Sequence, residues 1–149
     1  MPNNMLQETR RERRASELDV RPVARMPTLL IVAAVLCFGV GLAHSVLGER
    51  YILVRLFRRA DLPKLFGGTE FTTRTLRFAW HLTTIAWWGA AALFWRMAQG
   101  PLSSAAALRI LAFVFLGSAL VTFAVSRGRH LAWPVFLAIG VIALYGSQA

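Results

Sequence analysis

The chain is short of cysteine, tyrosine and acid: one Cys, two Tyr and seven Asp or Glu stand against seventeen Lys or Arg in 149 residues. A lone cysteine, Cys37, excludes an internal disulfide and any relay between two thiols. The spacings HxxxH, HExxH and CxxC are absent, so no local metal-binding or paired-thiol motif is present. The scarcity of acids leaves a net charge of +10. No nucleic-acid-binding motif accompanies that charge, and the basic residues flank apolar runs, so nucleic acid is not the expected partner. Anionic lipid headgroups are, with each Lys or Arg beside a membrane contributing ~1 kcal/mol. Val35-Leu36-Cys37 lacks the small residue of a lipoprotein cleavage site. The first apolar run is too long, and the segment before it too acidic with Glu8, Glu12, Glu17 and Asp19, for a cleaved signal peptide.

What the chain has in abundance is apolar surface: 56% of residues are hydrophobic and the mean hydropathy is +0.52. Four apolar runs, at about 28–48, 78–97, 105–126 and 131–146, approach the roughly 20 residues that a helix needs to cross the hydrocarbon core. The expected fold is therefore all-α, an integral membrane four-helix bundle occupying 28–149. Residues 1–27 form a basic arm with Arg10, Arg11, Arg13 and Arg14 among its acids, expected to be disordered. The remainder is too short for a separate soluble domain, so any chemistry is expected of the bundle itself. Between the first two spans, residues 51–66 mix Leu53, Leu56 and Phe57 with Arg55, Arg58, Arg59 and Lys64. That pattern predicts an amphipathic segment lying in the membrane interface, limited by Pro63 and reversed at Gly67-Gly68.

Each span has distinct chemistry. The first sets Ala33, Cys37, Gly41 and Ser45 four residues apart, a small-residue stripe that permits close helix packing. In the second, Arg77, His81, Thr84, Trp88 and Trp95 share one face, expected to turn inward, while Trp80 and Trp95 lie near opposite ends as an aromatic belt. Arg109, near the start of the third, is expected to snorkel to water. The fourth begins after the tight link Ser126-Arg127-Gly128-Arg129 and carries Pro134 in its first turn, where proline is tolerated.

The three histidines carry the functional expectation. In an up-and-down bundle the end of span 1, the start of span 2, the end of span 3 and the start of span 4 share one face. His44, His81 and His130 fall at three of these four places, with Glu49 close to His44. Ionisable groups inside a membrane usually face the bundle interior and mark a site or pathway. His44, His81, His130 and Glu49 are the candidate metal ligands, and His44 with His81 the candidate axial pair for a haem. Ser45, Thr83, Thr84 and Ser126 are available to orient the imidazoles, and Glu49 has Arg50, Arg77 or Arg127 as ion-pair partners. The competing expectations are a non-catalytic membrane scaffold or accessory subunit, associating with itself or another membrane protein through the span 1 stripe, and an oligomeric ion or proton pathway. A histidine acid–base enzyme lacks any specific nucleophile and base arrangement.

Ala43-His44-Ser45-Val46-Leu47-Gly48-Glu49-Arg50, followed by Arg77-Phe78-Ala79-Trp80-His81-Leu82-Thr83, resembles small bacterial four-helix integral membrane proteins of unknown function. The resemblance implies a bacterial inner-membrane setting and carries no activity, cofactor or partner. Nine Lys or Arg fall on the histidine side and eight on the other, six of those eight in the arm. Because the influence of arm charges fades at roughly 15 to 20 residues from a span, the histidine face is expected to be cytoplasmic.

Overall fold

The computed structural model describes the backbone of residues 3–149 and the side chains of Gln7 and residues 25–149. The arm expected over 1–27 lies almost wholly outside the described side chains. The elements are α1 (Asn3–Leu47), a π-helical segment (Gly48–Leu53), α2 (Val54–Leu56), α3 (Glu70–Ala98), α4 (Ser104–Ser126) and α5 (Ala132–Gly146). The fold is all-helical, with four principal helices, α1, α3, α4 and α5. Among the described residues β-structure is limited to one isolated bridge, Leu65 to Gly68.

Local chemistry sets the ends of these helices. Glu70 sits in the first turn of α3 and Arg96 in its last, each of the sign that complements the helix dipole. The Ser103 hydroxyl caps α4 by accepting from the Ala106 N–H at 3.2 Å, satisfying one of the orphan donors at the start of a helix. At its other end Arg127 (φ 53°) and Gly128 (φ 74°) are left-handed, and the Gly128 N–H returns to the Phe123 carbonyl at 2.9 Å. This C-cap closes α4 and turns the chain into α5.

Residues 51–66, expected to form an amphipathic interfacial segment, begin as helix and end in turns. The chain does not leave the axis of α1 after Gly48 but continues through the π segment and α2, giving one helical stretch from Arg25 to Leu56. Leu53 is only 1% exposed, and Phe57 lies beneath the Arg77 guanidinium, 5.0 Å from the ring centroid. Leu53 and Phe57 thus pack against protein, whereas Ile52, Leu65 and Phe66 stay exposed. The physical reason is that nothing between Ser45 and Phe57 breaks a helix. The wider π turn also absorbs an extra residue, which rotates the following face by about 100°.

The helices form an open row. α1 packs on α3, α3 on α4 and α4 on α5, and among the described residues α5 makes no close backbone approach to α1 or α3. The sequence leads one to expect a four-helix bundle, and the four principal helices are present, laid side by side in chain order. Small residues set the close approaches: a Cβ on Gly41 would meet the Trp88 Nε1 at 2.9 Å, and one on Gly140 would meet Leu116 at 2.8 Å. Gly48 lies directly under the Trp80 indole and Gly89 against Val114. The stripe on α1 is accordingly Ala34, Gly41, Ser45 and Gly48 rather than the strict four-residue series. Ala33 and Cys37 flank it, half-buried.

Two helices, Arg25–Leu56 and Ser104–Ser126, are long and apolar enough to cross a membrane, and Ala132–Gly146 is apolar but shorter. Large apolar side chains, among them Leu36, Phe113, Leu120 and Ile142, cover their outward faces.

These packing distances predict opposite outcomes for two glycines one helix face apart. Gly48→Ala drives a methyl into the rigid Trp80 ring and should destabilise the protein by about 1–3 kcal/mol. Gly39→Ala meets nothing within 4 Å and should stabilise it by about 0.5–1 kcal/mol through helix propensity alone. Unfolding in detergent titrated with sodium dodecyl sulfate reads both; equal behaviour of the two variants would show that the α1–α3 contact is wrongly described.

Candidate functional site

A seam of polar side chains joins α1 and the π segment to α3. Arg77 Nη2 lies 2.9 Å from Glu49 Oε1, and Glu49 Oε2 lies 3.5 Å from His81 Nε2. His81 Nδ1 is 2.7 Å from the Ser45 hydroxyl, which is 2.8 Å from that of Thr84. Arg77, His81 and Thr84 come from one face of α3 at helical spacing. The π turn brings Glu49 to the same seam as Ser45, a placement characteristic of single-turn π segments at functional positions.

One assignment of protons satisfies every member. Thr84 donates to Ser45, Ser45 donates to His81 Nδ1, and His81 Nε2–H points to Glu49, which also receives Arg77. Thr84 is 3% exposed, so its hydroxyl requires this partner. An unpaired buried hydroxyl would cost about 1–3 kcal/mol. The Arg77–Glu49 pair at the outer end is more than a third exposed on both sides, and its own contribution is small.

His44 belongs to a neighbouring arrangement. Its ring stacks on the Trp80 indole with centroids 4.4 Å apart and planes 7° from parallel. Its Nε2 lies 2.7 Å from Thr83 Oγ1, while Thr83 donates its own hydrogen to the Trp80 carbonyl at 2.6 Å. The Thr83 oxygen is therefore an acceptor, and His44 carries its hydrogen on Nε2. Trp80 Nε1 in turn donates to the His44 carbonyl at 3.0 Å, and Trp88 Nε1 to the Phe38 carbonyl at 3.3 Å.

His130 lies apart from both. It packs edge-on to Phe78 at 4.8 Å and stacks with Phe71 at 5.8 Å, and its Nδ1 accepts from the Ala132 N–H at 3.1 Å. The proposed ligand set of His44, His81, His130 and Glu49 is thus not assembled. Among the described residues no group of three or more His, Cys, Asp or Glu is placed to hold a metal ion. His44 Nε2 is bonded to Thr83, His81 Nδ1 to Ser45 and His130 Nδ1 to the Ala132 N–H, which orients the three rings towards different partners. The His44 ring is stacked on Trp80 and the His81 ring is bonded to Ser45, so the two rings belong to separate hydrogen-bonded groups.

Sequence reasoning placed Ser45, Thr84, Arg77 and Glu49 near one another but left Ala34 and Gly48 out of the packing stripe. The signal for Gly48 was present in the spacing 34, 41, 45, 48, which is the track of a helix interface. Arg109 is exposed at the start of α4, in keeping with a snorkelling residue. No protein family, curated protein or solved structure matches the chain.

The seam predicts that Ser45→Ala strands both His81 Nδ1 and Thr84 Oγ1 and lowers stability by about 1–3 kcal/mol, whereas Thr73→Ala, which removes only a bond to the Thr69 carbonyl one turn back, should change it less. It also predicts that both neutral His44 and neutral His81 are the Nε2–H tautomer. Imidazole 15N spectra of the detergent-solubilised protein check this, and an Nδ1–H signal from either residue contradicts the seam.

Proposed function

We propose that the chain is a multi-pass bacterial inner-membrane protein that spans the bilayer four times and acts as a non-catalytic scaffold or accessory subunit. The observation that carries this reading is the fate of its polar groups. The histidines, Ser45, Thr83, Thr84 and Glu49 bond to one another and to backbone between helices, leaving few convergent lone pairs for a substrate. In a bilayer, where apolar contact with a neighbouring helix gains little over contact with lipid, such bonds and close-packed small residues hold helices together. The open row supports association: α1 and α5 each have a single helical neighbour, and the free sides can accept helices of a second copy or of another membrane protein.

The apolar exposed faces support membrane residence for all four principal helices. α5 has 15 residues, short for a span but within the range that flanking residues and local bilayer thinning accommodate. The end of α3 carrying Arg77, together with Lys64, Arg127 and Arg129, is assigned to the cytoplasmic side by its positive charge.

Single-cysteine labelling in intact cells tests the topology. In a Cys37→Ala background, Gln99→Cys should react with a membrane-impermeant maleimide from outside, and Lys64→Cys and Arg127→Cys only after permeabilisation. Labelling of Gln99→Cys and Lys64→Cys from the same side would sink the four-span arrangement. Release of the wild-type protein from membranes by alkaline carbonate would sink membrane residence itself.

A further inference from the structure

At the end of the helices where α3 starts and α4 finishes, a cleft of about 530 Å³ is open to the outside. Its apolar side is Leu65, Phe66 and Phe71, and its polar side is Glu70, Arg74, Arg129, Thr75 and Ser126. Phe66 and Phe71 meet edge to face at 5.1 Å. Phe66 is 90% exposed, held out by the tight turn in which it and Gly67 both have positive φ.

Two features of the polar side call for a ligand. First, Thr75 Oγ1 and Ser126 Oγ are buried without any hydrogen-bond partner, and Ser126 is only 3% exposed. Serine on a helix normally returns its hydrogen to a carbonyl one turn back, as Ser118 does to Val114 at 2.7 Å, so an unpaired Ser126 in the wall of a cleft is a donor held in reserve. Second, the charges do not cancel. Arg74 pairs with Glu70, whereas Arg129 has no acidic partner among the described residues. The lining therefore carries one uncompensated positive charge.

We propose that this cleft is a binding site for an anionic phospholipid, the phosphate of its headgroup taken by Arg129 with hydrogen bonds from Ser126 and Thr75, and an acyl chain passing over Phe66 and Phe71. A phosphodiester supplies the single negative charge that the lining lacks and the acceptor oxygens that two hydroxyls and a guanidinium require. The aromatic wall rejects a fully hydrated ion and accepts the chain attached to a lipid headgroup. The site rests on the membrane reading above, because its ligand is drawn from the bilayer, but it adds a defined headgroup pocket to the diffuse attraction of basic flanks for anionic surfaces.

The test is native mass spectrometry of the full chain in detergent, titrated with phosphatidylglycerol or phosphatidylcholine, for the wild type, Arg129→Gln, Ser126→Ala and the charge-matched control Arg109→Gln at the opposite end of α4. Phosphatidylglycerol should bind preferentially. Arg129→Gln and Ser126→Ala should each weaken it, the former by roughly ten-fold, equivalent to the loss of one charge-assisted hydrogen bond, while Arg109→Gln leaves it unchanged. Ser126→Ala should also leave the ligand-free protein as stable or more so, since it removes an unpaired buried hydroxyl; this separates a binding role from a structural one. Equal binding of the two lipids, or an equal loss with Arg109→Gln, overturns the proposal while leaving membrane residence intact. Competition by millimolar inorganic phosphate as effective as that by lipid overturns the lipid assignment in favour of a free phosphate site.

Discussion

The organisation of the molecule depends on how α1 is held to α3. The two helices have apolar outward faces, so greasy contact alone does not select one pairing over another. Selection comes from hydrogen bonds and from the absence of side chains. Two tryptophans of α3 reach across Gly41 and Gly48 and donate indole hydrogens into the backbone of α1, at the Phe38 and His44 carbonyls. A carbonyl in a helix already accepts one bond and has a lone pair to spare, so the indoles take up capacity that the helix does not need. The imidazole, hydroxyl and carboxylate seam is possible only because the glycines let the backbones come this close.

Much of this was legible in the sequence. The apolar runs gave all four principal helices, and helical spacing put Arg77, His81, Thr84 and Trp88 on one face because a period of 3.6 is a local property. Gly41 announced close packing for the same reason. What was not legible depends on which helix neighbours which. Parity put the three histidines towards one end but was silent on lateral order, and His130 on the far side of α3 sits against Phe71 and Phe78 instead of His81. Nor does a composition such as Leu53, Leu56, Phe57 with Arg55, Arg58, Arg59 say whether its apolar face meets lipid or protein. The π turn, which decides the question, has no sequence signature.

Histidines at the ends of apolar helices invite a metal or haem, and their bonding explains why the invitation is weak here. A ligand nitrogen must present a free lone pair towards a shared point. Thr83 fixes the hydrogen of His44 on Nε2, and Ser45 occupies the acceptor nitrogen of His81. Hydroxyls that look like supporting groups for a metal site are, in this geometry, the partners themselves. Of the buried hydroxyls without a partner among the described residues, Thr75, Thr122 and Ser126, two, Thr75 and Ser126, line a cleft of mixed character, so unsatisfied polarity points to a different place from the one that residue type suggests.

The row of helices also governs the order in which the molecule can be built. Among the described residues each principal helix packs on the principal helices adjacent to it in sequence and on no other, so these contacts do not wait for the far end of the chain to arrive. α3 can close on α1 before α4 has been made, and α5 joins last onto a finished surface. Contacts between sequence neighbours carry the smallest loop-closure cost, and in a one-dimensional stack each junction stabilises itself and the next. Such a chain assembles in the direction of its synthesis, and under tension from either terminus it comes apart one helix at a time.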